Sequence, residues 1–220
     1  MKQILVTSDT PLPDEFDKEI LSDYIPFIKT EIYSENEITK QLPTEKKDYD
    51  FIITSKHSAQ AVQNIPLDGE FFVVGKNTAK ELLGQNREIA FVSNYSEDLV
   101  ERILENEKKQ TYVFLKGNLS LKIIPDVLKN HNIEVIEIEC YHTTLTPKKL
   151  NNSYDAIVFT SPSAIKSFFS MNEIPQNTLI FTIGKTTAQA VRKYGNFPVS
   201  YPEEITKEAL VDLINETLTH

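Results

Sequence analysis

Five short turns carry the groups in this chain that suit a bound anion. They are Thr54-Ser55-Lys56-His57, Gly75-Lys76-Asn77-Thr78, Lys116-Gly117-Asn118, Thr160-Ser161-Pro162-Ser163 and Gly184-Lys185-Thr186-Thr187. Each closes a short apolar run, and most precede a helical pattern. A glycine lets backbone approach a ligand closely, and the first N–H groups of a helix attract carboxylate or phosphate. Pro162 suits a first helical position, where its missing N–H is no loss. Taken one at a time, Ser55, Thr78, Ser161 and Thr187 read as N-caps worth about 1 kcal/mol. Likewise Lys56, Lys76, Lys116 and Lys185 read singly as solvated surface charges. Taken together, the turns predict a site for a small anionic molecule. Its candidate contacts are Ser55, His57, Gly75, Thr78, Lys116, Gly117, Asn118, Ser161, Ser163, Gly184, Lys185, Thr186 and Thr187. Neither a Walker loop nor G-x-G-x-x-G is present, which argues against a nucleotide.

No nucleophile–base–acid set declares itself. Cys140 and His142 flank Tyr141, and regular strand alternation puts Cys140 and His142 on one face and Tyr141 on the other. Cys140 reads as one half of a Cys–His dyad or, more in keeping with a lone thiol, as a small buried apolar residue. Tyr141 reads as a core aromatic with its hydroxyl bonded or as a weak acid facing the ligand. The four histidines (His57, His131, His142, His220) and the single cysteine lack metal-ligand spacing, so no metal is expected.

Composition narrows the classes further. The formal net charge is −9, with no Trp and no basic block, which excludes phosphate-backbone binding and predicts a soluble monomer. No apolar run approaches the ~20 residues that cross a bilayer. Lys2 leads into a short ILV run that Ser8 and Pro11 end too early for a signal peptide, and one cysteine fits a reducing compartment. A cytoplasmic protein with no membrane or nucleic-acid partner is expected.

The elements that position these turns follow from periodicity. Runs at 4–7, 50–55, 71–75, 112–117, 156–161 and 179–184 are brief and rich in β-branched or aromatic residues, as buried strands are. Helical patterns occupy about 14–24, 58–64, 77–83, 97–107, 121–130, 162–170, 186–194 and 206–218. Near-continuous apolar strands alternating with helices predict an α/β protein with parallel sheets covered on both faces.

A duplication organises them. YDFIITS (49–55) matches YDAIVFTS (154–161), FFVVGKNTAKEL (71–82) matches LIFTIGKTTAQAV (179–191), and SEDLVERI (96–103) matches KEALVDLI (207–214). The offset drifts only from 105 at Tyr49/Tyr154 to 111 at Leu99/Leu210. If the first strand joins the second copy, residues 1–33 plus 147–220 form one domain and 34–146 an inserted one. The chain then crosses twice, at 30–35 and 138–146, both extended in character. The expectation is two similar flavodoxin-like parallel-sheet domains joined by a two-stranded β linker, free to move relative to each other.

At this resolution the residues resemble a known family. ILVT, YDFIITS, VVGKNTA, LKGNLSLKIIPDVL, IECYHTT, VFTSPSAIKSFF and TIGKTTAQAVRKYG, in that order along essentially the whole chain, are similar to uroporphyrinogen-III synthase. The resemblance implies two α/β domains on a two-stranded linker and a cofactor-independent enzyme of tetrapyrrole biosynthesis. The reaction implied is closure of hydroxymethylbilane with loss of water and inversion of ring D. Ser55 and Ser161 match the serine of the family's T-S-x motif, and Thr78 and Thr187 the threonine after its glycine turn. Asn118 fits the turn before a helix. Tyr141 matches the linker tyrosine assigned as proton donor to the departing hydroxyl. Two positions depart: Ser8 follows Thr7 where the family commonly has Arg, and His57 stands where Asn or Arg is usual. A binding protein without catalysis, or an inactive homologue of the synthase, is the alternative.

Overall fold

The computed structural model describes residues 1–8, 10–12, 16–44, 49–106 and 111–219. In chain order the first elements are β1 (Lys2–Val6), β2 (Ile20–Tyr24), β3 (Ile28–Ile32) and α1 (Glu35–Thr39). Next come β4 (Asp50–Ile53), α2 (Lys56–Ala61), β5 (Phe71–Val74), α3 (Lys76–Leu83), β6 (Ile89–Ser93) and α4 (Ser96–Asn106). Then follow β7 (Thr111–Gly117), α5 (Ile123–Asn130) and β8 (Glu134–Leu145). The last are β9 (Ala156–Phe159), α6 (Pro162–Phe169), β10 (Leu179–Thr182), α7 (Lys185–Arg192), β11 (Val199–Ser200) and α8 (Lys207–Leu218). The start of the helix expected at 14–24, the last residue of that expected at 97–107, and His220 lie outside the described residues.

Two compact units emerge, Met1–Lys29 with Thr144–His220, and Thr30–Thr143. The first holds a sheet ordered β11-β10-β9-β1-β2, and the second belongs to a sheet ordered β6-β5-β4-β7-β8-β3. Ladders within the two sheets, from β11 to β2 and from β6 to β8, are parallel. Read side by side, β6-β5-β4-β7-β8 repeats β11-β10-β9-β1-β2 strand for strand, as the duplication requires. The chain passes between units within β3 and β8. There Tyr33 N–H donates to Cys140 O at 3.0 Å and Thr146 N–H to Phe27 O at 2.9 Å, an antiparallel register.

Burial explains the strand composition. In the 30–143 unit, Phe51, Ile53, Phe71, Val73, Val113 and Leu115 pack on one face with Ala59, Val62 and Leu82. Ile52, Phe72, Tyr112 and Phe114 pack on the other with Leu99, Ile103, Ile124 and Leu128. Both faces are covered, so alternation of apolar and polar residues disappears. The other unit repeats this. Leu5, Ile157, Phe159 and Ile180 meet Phe168 and Val191 on one face, while Ile4, Val6, Val158 and Phe181 meet Leu210 and Ile214 on the other.

The helix expected over 14–24 does not form across 20–24. Ile20–Tyr24 is β2, an edge strand in parallel register with Lys2–Val6. Phe16 and Ile20 reach the same core cluster and imitate one helical turn. However, Leu21 and Tyr24, which would continue that face, are 52% and 37% exposed. Where the second unit has α5 between β7 and β8, the first covers its sheet with Leu12 and Phe16.

Candidate functional site

Doubly wound sheets bind ligands outside the carboxyl ends of their strands, where the strand order reverses. In the 30–143 unit that point lies between β4 and β7, because β4-β5-β6 run one way and β7-β8 the other. The residues leaving those strand ends are Thr54-Ser55 and Gly117-Asn118. In the other unit it lies between β9 and β1, which end in Thr160-Ser161 and Thr7-Ser8.

Tyr141 sits over the first of these points. A register shift in the β7–β8 ladder pairs Lys116 with Glu139 but Gly117 with Tyr141, so Cys140 is an extra residue in β8. That bulge breaks the expected alternation: Cys140 lies in, and Tyr141 packs against, the same core cluster. His142 is exposed. The Tyr141 ring lies against Gly117, where a Cβ would stand 2.3 Å from Cζ and 2.7 Å from the phenol oxygen. Its phenol lies within reach of the Ser55 side chain, and the His57 ring stands 5.3 Å away, centroid to centroid. Ser55 caps α2 by accepting from His57 N–H at 3.2 Å. Its own hydroxyl proton is therefore available to the phenol oxygen. Burial pushes the Tyr141 phenol up, and the nearby Ser55 side chain works against that rise.

Cys140 and His142 form no dyad. Cys140 is fully buried, burial pushes its thiol up to about 12, and Sγ donates weakly to Ile138 O at 3.7 Å. His142 instead places Nδ1 3.2 Å from Glu139 Oε1 and Nε2 3.3 Å from Asn118 Nδ2. Tyr33 O–H donates to the same Glu139 oxygen at 2.7 Å. That bond, then burial, raises the Tyr33 phenol to about 12. Tyr33, Glu139 and His142 carry no motif. The only sequence signal for them is their position on the two extended crossing segments.

The other expected residues separate into groups. Asn118 is engaged with its own fold: Oδ1 accepts from Thr143 N–H at 2.7 Å, and Nδ2 donates to Thr143 O at 3.1 Å. Lys116 alternates away from Leu115 and Gly117, onto the face opposite Tyr141, and pairs with Glu137 at 2.7 Å. Gly75 and Gly184 are the N-cap residues of α3 and α7, and neither helix has a side-chain cap. Gly75 needs its glycine, at φ 93°, whereas Gly184 at φ 174° is ordinary extended backbone. Thr78 and Thr187 are thus not caps but buried third residues of their helices, 5% and 3% exposed. Ser161 does cap α6, accepting from Ala164 N–H at 3.2 Å, and its Oγ meets Ser163 Oγ at 3.2 Å. Lys185 and Thr186 open α7. Thr7 Oγ1 donates to Val158 O at 2.9 Å and helps hold β1 on β9. A cavity of about 650 Å³ in the same unit, lined by Tyr154, Phe168, Asn172 and Thr178, lies at the amino ends of β9 and β10, away from this chemistry. Among the described residues no three His, Cys, Asp or Glu side chains gather as metal ligands.

Known proteins match this arrangement. A family model described as uroporphyrinogen-III synthase HemD matches residues 22–212. A uroporphyrinogen-III synthase of Chlorobaculum parvum is 30% identical over 125 residues, covering 50% of this chain and 50% of that protein. The match thus spans about half the length of this curated relative. Among solved structures, the uroporphyrinogen-III synthetase of Helicobacter pylori aligns with TM-score 0.64 at 19% identity, over 99% of this chain and 100% of that one. A variant of the Thermus thermophilus synthase aligns with TM-score 0.68 at 12% identity over 100% of both chains. At those identities the structures speak to the fold, which is that of the two-domain α/β synthases. The family match covers most of the chain, and on it this protein belongs to the uroporphyrinogen-III synthase HemD family.

Proposed function

We propose that this chain is an active uroporphyrinogen-III synthase, which closes hydroxymethylbilane to uroporphyrinogen III with loss of water and inversion of ring D. Family membership across residues 22–212 carries the reading. The substrate closes unaided to the type I isomer, so catalysis consists of holding a conformation and stabilising a developing cation. The absence of a strong nucleophile beside Tyr141 accords with that demand. The half-buried phenol, whose pKa its surroundings raise, stays protonated at neutral pH, as a donor to a departing hydroxyl must.

In this reading Tyr141 is the general acid. Ser55, His57, Gly75, Thr78, Ser161, Ser163, Gly184, Lys185, Thr186 and Thr187 contribute hydroxyls, side-chain N–H groups and helix-start backbone to the substrate's carboxylate arms. The negative ends of those arms suit α3 and α7, which begin on glycine without a side-chain cap. The division into domains 1–33 plus 147–220 and 34–146 belongs to the same proposal, supported by two sheets with separate cores. So do a monomeric state and a cytoplasmic location. Among the described residues no helix is long and apolar enough to cross a membrane.

The test is a coupled assay: hydroxymethylbilane generated in place, with and without the protein, then oxidation and separation of the porphyrin isomers. Mostly type III product is expected. Mostly type I product from folded protein refutes the proposal.

A further inference from the structure

We infer that Gly117 and Asn118 are positioning residues that hold the Tyr141 phenol over the strand end bearing Ser55, and that neither serves the reaction by contacting substrate. This rests on Tyr141 being the proton donor of the proposed reaction. Three observations lead there independently. The first is the ring seat. A Cβ at Gly117 would stand 2.3 Å from Cζ, 2.4 Å from Cε2 and 2.7 Å from the oxygen of Tyr141, well inside any tolerated contact. The open side of Gly117 is filled by Tyr141 and is not left as an approach for a ligand.

The second is the fate of the Asn118 amide. Oδ1 accepts from Thr143 N–H at 2.7 Å, and Nδ2 donates to Thr143 O at 3.1 Å and meets His142 Nε2 at 3.3 Å. Asn118 N–H in turn donates to Tyr141 O at 3.3 Å. Both donors of the amide are committed to β8, so using them on substrate would release the strand segment that carries Tyr141. The third is the bulge. It pairs Gly117 directly with Tyr141 and turns Cys140 and Tyr141 to one side, aiming the phenol at the strand end that bears Ser55. A bulge re-aims a side chain at the expense of ladder hydrogen bonds, and Asn118 replaces them with side-chain bonds to Thr143.

Because both residues act through Tyr141, their effects cannot multiply with its removal. The experiment compares steady-state type III formation by the intact chain, Gly117→Ala, Asn118→Ala, Tyr141→Ala, and the two doubles that pair the first or second variant with Tyr141→Ala. Displacing a proton donor by about an ångström costs on the order of tenfold or more in rate. Gly117→Ala and Asn118→Ala should each lower kcat by about that factor with KM changed less than about threefold, and neither double should be slower than Tyr141→Ala alone. Thermal melting identifies any variant that fails to fold, and the remaining pair still decides. Losses that multiply in a folded double, or a KM rise that carries the whole effect, overturn the inference and put that residue against substrate. Wild-type kcat in Tyr141→Ala overturns it as well, by removing the donor itself. The synthase reading is judged separately, by whether the unaltered chain makes type III product.

Discussion

Arg87→Met should weaken the 30–143 unit by about 3 kcal/mol while leaving turnover nearly intact. Helix α2 is short and has no basic residue in its last turn, so the negative end of its dipole is unmet from within. Arg87 meets it from the turn between α3 and β6. Its guanidinium donates to Val62 O at 3.0 Å, Ile65 O at 2.6 Å and Leu67 O at 3.2 Å. The same group lies 5.8 Å from the centre of the Phe71 ring. A hydrogen bond to a charged group nets about 1.5–3 kcal/mol. Three bonds from one partly exposed guanidinium fall short of three times that figure, because water replaces part of them. About 3 kcal/mol is the resulting expectation, and for a unit of this size it corresponds to about 10 °C in Tm. Calorimetry and urea unfolding measure it, with an unchanged m-value marking a loss of stability and not of compactness. Arg87→Lys should fall between the two, since an ammonium supplies the charge without the planar fork. A shift under about 3 °C, or a lysine variant equal to wild type, would refute the account of how α2 is held.

The other expectations concern the site and its supports. Tyr141→Phe keeps the ring on Gly117 and loses the proton, so kcat should fall about tenfold or more with Tm unchanged; equal turnover would remove the phenol from the mechanism. Lys116→Met breaks the 2.7 Å pair with Glu137 on the face opposite Tyr141. It should cost about 1–2 kcal/mol of stability and leave KM within about twofold, whereas a tenfold rise would place the ammonium against substrate. Burial holds the Cys140 thiol and the Tyr112 phenol each at about 12, against ordinary values of 9.0 and 10.0. The unfolded chain loses those protons first, so urea-measured stability should be level below pH 9 and fall as pH rises toward 12. Cys140→Ala should remove the early part of that fall and Tyr112→Phe a share of the later part, to which the raised Tyr33, Tyr141 and Tyr154 phenols also contribute. A profile flat to pH 11 contradicts both burials.

What the sequence disclosed, and what it hid, divides along the range of the forces involved. Phe51-Ile52-Ile53 and Ile157-Val158-Phe159 announce doubly covered strands because every residue is apolar, and the structure buries all six. Ser55 and Ser161 announce helix starts because a cap acts over three residues. Thr78 and Thr187, read by the same rule, stand as the third residues of their helices, since Gly75 and Gly184 already occupy the cap positions. β2, β6 and β11 escape notice because edge or short strands need only half a pattern. Ile20 is buried beside exposed Leu21, and β11 holds two residues. A strand partner, Lys2 opposite Ile20, decides whether Phe16 and Ile20 belong to a helix or bracket a strand end, and propensity cannot supply that partner.

The bulge at Cys140 is the instructive case, because its trace was in the sequence. Ile136, Glu137, Ile138, Glu139 and Cys140 alternate as a strand with one buried face, and the next apolar residue should then stand at 142. It stands at 141, and 142 is histidine. One residue out of step is what an inserted residue does to a period of two, so the pattern itself records the shift. Its counterpart on β7 is Gly117, the position opposite Tyr141 and the one residue type without a side chain to obstruct the ring. Read together, the slipped alternation and the facing glycine specify both the side on which Tyr141 emerges and the space it fills. The phenol's nearness to the Ser55 strand end then follows from sheet order, because β4 and β7 are neighbours where the strand order reverses. Thus the geometry around the proposed donor depends on pairing between distant strands, which is why regular strand alternation alone set Tyr141 on the face opposite Cys140.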